Sequence, residues 1–88
     1  MLIFILNYKQ DIDLFDKSIS LSPIPASDIL YIDGLEQESK VDIYSSLGQQ
    51  MYSGTATNNI IISDLPPGPY FITFEIKGVR ITKKFLKL

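Results

Sequence analysis

The chain has no histidine, no cysteine and no tryptophan in its 88 residues. Without histidine it lacks the commonest general base and the commonest transition-metal ligand. Without cysteine it has no disulfide staple and no thiolate metal site. A surplus of positive charge is also missing. The formal net charge is -2, and nucleic acid wants a basic face. Long apolar runs are absent too. The run from Leu2 to Leu6 is far too short to span a bilayer. No positive segment precedes it and no small-residue cleavage site follows, so it does not read as a signal peptide. No stretch keeps a helical period.

What remains is a small β-rich chain. The hydrophobic share is 45%, with five Phe and five Tyr, which is too apolar for a disordered tail. The length allows one small domain with a limited core. Short β-favouring stretches alternate with turn signals, the pattern of an all-β antiparallel sandwich of about seven strands. Residues 1–17 read as an N-terminal strand and linker, or as the remnant of an upstream domain. Residues 18–88 read as the domain itself.

Within that domain, Ser18 to Leu21 forms a short strand, ended by Pro23 because proline cannot donate to a ladder. Asp28 to Ile32 follows, and Asp33-Gly34 closes it. Val41 and Ile43 share one face of the next strand, with Asp42 and Tyr44 on the other. Leu47-Gly48 turns the chain, and Gln49 to Ser53 returns. Asn59 to Ser63 points Ile60 and Ile62 inward. DLPPGPY is dense in turn residues. Tyr70, Ile72, Phe74 and Ile76 then share a face, and Lys77-Gly78 is a tight hairpin. In the last strand, Val79, Ile81 and Phe85 are in phase and Lys83 is not, so a bulge near Thr82 to Lys84 is expected. The expected core is Leu30, Ile32, Val41, Ile43, Ile60, Ile62, Leu65, Ile72, Phe74, Ile76, Ile81 and Phe85. Ile29 and Tyr31 compete with Leu30 and Ile32 for the inner face.

Reactive chemistry finds little support. Asp11, Asp13 and Asp16 lack the glycine and distal glutamate of a calcium loop and read as a solvated linker. Ser45, Ser46 and Ser53 have no histidine to activate them. Gly68, flanked by prolines, suits a rigid corner and not a phosphate cradle. Tyr70, near the start of a strand, reads as an anchor whose hydroxyl bonds back to the preceding corner. The closing KKFLKL reads, taken alone, as an edge strand protected by lysine. No catalytic residue, cofactor, metal or small-molecule substrate is expected.

Four marks stand in order: PIPAS, VDIYSSLGQQMYSG, ISDLPPGPYFITFEI and TKKFLKL. In that order and spacing the chain resembles the type A C-terminal sorting domain of the type IX (Por) secretion system, over about Ser18 to Leu88. The resemblance implies an immunoglobulin-like sandwich that directs a passenger across the outer membrane to the cell surface. It implies as partners the outer-membrane secretion machinery and a sortase-like peptidase that removes the domain, and often attachment of the passenger to anionic lipopolysaccharide. It marks Pro23, Pro25 and Ala26 as the proline motif and Gly48 as the glycine of the central hairpin. Leu65, Gly68 and Tyr70 match the Leu-x-x-Gly-x-Tyr corner, and Lys83, Lys84 and Lys87 the basic end. Physically, the prolines hold an extended approach into the first hairpin. The family usually has Asn where Ile24 stands, and isoleucine cannot bond the turn backbone. Family members follow a passenger and an export signal, which these residues do not include. A homodimer through Leu2 to Leu6 is a further expectation, by strand addition or swapping. The rival reading is an immunoglobulin-like adhesion module using Tyr8, Tyr31, Tyr44 and Tyr52 to hold carbohydrate or protein. The absence of tryptophan weighs against it.

Overall fold

The computed structural model describes residues 19–88. The expected Leu2–Leu6 strand, the Asp11–Lys17 linker, Ser18 and Tyr8 lie outside the described residues. Within them the chain forms seven strands and no helix. They are β1 (Ser20–Ser22), β2 (Ile29–Asp33), β3 (Ser39–Ser45), β4 (Gln50–Ala56), β5 (Asn59–Ile61), β6 (Gly68–Ile76) and β7 (Val79–Lys87). They make a three-stranded sheet, β1-β2-β5, and a four-stranded sheet, β4-β3-β6-β7. Every pairing between named strands is antiparallel. This is the expected all-β sandwich, with an architecture compatible with the immunoglobulin-like class.

The two-residue alternation of side chains builds the core. Leu30 and Ile32 from β2 and Ile60 from β5 face Val41, Ile43, Ile72, Phe74, Ile81 and Phe85 across the layer, all buried. The competition on β2 resolves outward for its rivals: Ile29 is 36% exposed and Tyr31 50%. Ten of the twelve expected core residues are buried; Leu65 and Ile76 are half-buried. Leu65 sits in a loop at the mouth of the layer. Ile76 ends β6 beside the hairpin, where it lines an open cavity with Leu35 and Lys77. Ile19, Ala26, Ala56 and Tyr70 complete the core and stand outside the expected core set, although Tyr70 was expected on the face of Ile72 and Phe74. Ala26 and Ala56 lie where no strand was expected, whereas Ile19 falls within the expected Ser18–Leu21 strand.

Three other expectations need correction. First, β7 has no bulge. Its register with β6 runs unbroken from Gly68↔Lys87 to Ile76↔Val79. Lys83 therefore keeps its inward phase opposite Ile72 and is half-buried. Lysine suits such a half-buried position because its long methylene stem can pack against an apolar layer. The register shift lies instead between β3 and β4, at Ile43/Tyr44. Second, β4 extends to Ala56, beyond the expected Ser53, since β3 offers it partners as far as Ser39. Third, Pro23 and Pro25 do not lead into the first hairpin. They lie in its loop, because Ser20–Ser22 already pairs with Tyr31–Asp33.

Candidate functional site at one end of the sandwich

Antiparallel pairing brings three chain reversals to the same end. β3 finishes where β6 begins, with Ser45 opposite Tyr70. β6 begins where β7 finishes, with Tyr70 opposite Phe85 and Gly68 opposite Lys87. The Gly48 turn therefore stands at the same end as the Gly68–Tyr70 corner and the Phe85–Lys87 segment.

Each part has its own local cause. In the Ser45–Gln49 turn, the Gly48 N–H donates to the Ser45 carbonyl at 2.9 Å and the Ser45 N–H to the Gln49 carbonyl at 2.8 Å. Gly48 has φ +86°, a value that residues with a Cβ rarely adopt. The Ser45 hydroxyl accepts the Leu47 and Gln49 N–H groups at 3.3 and 3.2 Å, so the serine braces the turn. At the corner, the Leu65 N–H donates to the Ile62 carbonyl at 3.0 Å. Gly68, at φ +146°, lets the chain swing into β6. The Tyr70 hydroxyl donates to the Pro66 carbonyl at 2.5 Å, and its ring stacks on Phe85 with centroids 5.6 Å apart and planes at 23°. Both rings are buried. The tyrosine corner is thus realised, and it ties the 65–70 corner to the final strand.

The proline loop completes this end through a contact that no sequence period announces. Ala26, 0% exposed, forms a parallel bridge with Lys87. Its N–H donates to the Leu86 carbonyl at 2.9 Å, and its carbonyl accepts the Leu88 N–H at 2.8 Å. The hairpin loop of one sheet thereby pairs with the edge strand of the other. Pro23 and Pro25 precede the bridge in the exposed loop, with Ile24 56% exposed between them.

The three lysines do not form one basic surface. Lys84 is exposed on the outer face, opposite Phe71. Lys83 is half-buried on the inner face. Lys87 is 8% exposed, and its Nζ donates to the Leu88 carbonyl at 2.9 Å. Strand alternation causes the split, since odd positions of β7 face inward. The tyrosines of the adhesion reading are scattered as well. Tyr31 lies on the outer face of the three-stranded sheet, Tyr44 in the row Tyr44–Phe71–Lys84 of the other sheet, and Tyr52 opposite Ile43. They make no common platform. Among the described residues no group of three or more acidic side chains is placed to hold a metal. The cavity of about 290 Å³ bounded by Gly34, Glu36, Ser39 and Lys77 lies at the opposite end.

Fold and gathered end together define the class: a small β-sandwich whose distinguishing residues, drawn from four separate stretches, meet at one end. A family model described as the secretion system C-terminal sorting domain matches residues 20–87. The chain belongs to that family, the sorting tails of the type IX (Por) secretion system. It is a family of sorting signals and is not known for enzymes. No curated protein matches the sequence. A tail of this kind implies interaction with the secretion machinery and export to the cell surface or outer membrane.

Proposed function

We propose that residues 18–88 are the sorting unit, preceded by residues 1–17 as an N-terminal strand and linker or the remnant of an upstream passenger, and that its gathered end is the surface read by the outer-membrane machinery. One observation carries this reading: the Pro23–Ala26 loop, the Gly48 turn, the Leu65–Tyr70 corner and the end of β7 are far apart in sequence and adjacent in space. An unfolded tail would present them separately, so the signal is read in its folded form. In this reading the loop tip and Lys84 make the contacts, while Ala26, Tyr70 and Lys87 hold the contacts in place. After export a sortase-like peptidase removes the domain, and the passenger stays attached at the cell surface.

The test fuses the full chain behind an exported reporter in a host with type IX machinery. The intact fusion should reach the surface and lose the domain. Ala26→Pro removes the N–H that bonds Leu86 and should retain the reporter in the periplasm. Lys84→Gln leaves the fold untouched and should slow export through lost charge alone. Normal export of both variants would place recognition elsewhere on the sandwich. If the intact chain never redirects the reporter, the reading fails altogether.

A further inference from the structure

Four strands lie at sheet edges: β1 and β5 in one sheet, β4 and β7 in the other. A bare edge offers unpaired N–H and C=O groups to any other strand, and folds guard such edges with shortness, proline, lysine or a covering segment. β1 has three residues and runs into Pro23; β5 also has three. β7 carries Arg80, Lys83, Lys84 and Lys87, and the Ala26 bridge covers its end. Among the described residues β4 has none of these guards. Its seven residues, QMYSGTA, include no charge and no proline. The one shift in its register lies near Met51, and from Tyr52 to Ala56 the pairing with β3 is regular.

Beside this edge opens a groove of about 320 Å³, lined by Met51 and Tyr52 from β4 and by Ile43, Ile61, Ile62 and Leu65, with Asp64 as its one charged residue. Ile61 is 71% exposed. Among the described residues the edge thus combines backbone groups that no strand pairs with a largely apolar recess, the two elements of recognition by strand addition.

We propose that β4 pairs antiparallel with β4 of a second copy, joining two four-stranded sheets into one. Charge selects this occupant. In a self-paired edge, residues near the two-fold axis face their own copies, and like charges directly opposite are destabilising. β4 has no charge to oppose itself, whereas β7 would set lysine against lysine. Geometry agrees. A two-fold axis perpendicular to the sheet keeps both inner faces on one side. The inner row Tyr52, Gly54 and Ala56 of one copy then continues the apolar layer beside the other copy's groove.

The test uses the full chain. Light scattering should show a dimer that dissociates on dilution. Amide exchange on the unmodified chain should show Tyr52–Thr55 amides slowing as concentration rises. Ser53→Lys sets a lysine opposite Asp42, and Thr55→Glu sets a carboxylate opposite Lys40, so each variant keeps a favourable partner within the sheet. Each should return the chain to monomer with an unchanged circular dichroism spectrum. A monomer at every concentration overturns the proposal. So does a dimer that both variants leave intact, which would put the association elsewhere, as through Leu2–Leu6. Protection of β4 amides that ignores concentration also overturns it and makes a segment of the same chain the cover.

Discussion

Tyr70 does two separable jobs. Its ring stacks on Phe85 and its hydroxyl reaches the Pro66 carbonyl. Tyr70→Phe keeps the first and deletes the second, and should cost about 1 kcal/mol, the usual net worth of one hydrogen bond. Tyr70→Ala deletes both and leaves a hole against Phe85, so about 3–5 kcal/mol is expected, as for other buried aromatics. Urea unfolding of the two variants separates these contributions; equal losses would mean that the hydroxyl dominates. Phe74, 0% exposed on β6 between Val41 and Ile81 of the neighbouring strands, has no such polar handle. Phe74→Ala should likewise cost about 3–5 kcal/mol, and a loss under about 1 kcal/mol would contradict its central place.

At the scale of the element, β7 shows how a basic stretch is divided by its pleat. Lys84 points to solvent, and Lys84→Gln should shift stability by no more than about 0.5 kcal/mol. Lys87 is buried and bonded to the Leu88 carbonyl, so Lys87→Gln should cost more than Lys84→Gln in the same denaturant titration. An equal, negligible cost would mean that Lys87 behaves as a surface residue. The Ala26 bridge belongs to this scale too. In Ala26→Pro the Leu86 carbonyl loses its donor, and the Leu88 amide should exchange faster while amides at the centre of β6 keep their protection. Uniform loss of protection would show that the bridge supports the whole sandwich and not only the end of β7.

At the scale of the molecule, the two sheets depend on each other through the core they share and the Ala26–Lys87 bridge. Deleting Lys83–Leu88 removes every β7 partner of Gly68–Ile72 and takes Phe85 from the core. The reporter fusion should then stay in the periplasm with its tail unfolded, as judged by protease sensitivity. Lys84→Gln should instead leave the tail resistant and change only the rate of export. A truncated chain that still resists protease would break the link between fold and signal.

Alternation of apolar and polar residues determined most of the strands and ten of the core residues, because a strand's two faces are written directly in every second position. Turn chemistry did the same for the Gly48 and Lys77-Gly78 reversals and for the Tyr70 corner, since positive φ and local hydrogen bonding act within a few residues. The motif set itself was also legible as a family pattern. Only the tertiary structure decided that the proline loop clips β7. That contact uses the backbone of Ala26, and backbone groups carry no side-chain signature in the sequence. It also decided the fate of the lysines: a run of charges looks like one basic patch until the register assigns Lys83 and Lys87 inward and Lys84 outward. The missing bulge has the same origin. Periodicity treated a charged residue in an apolar phase as a fault in the strand, whereas a long methylene stem lets lysine take a half-buried position with the register unbroken.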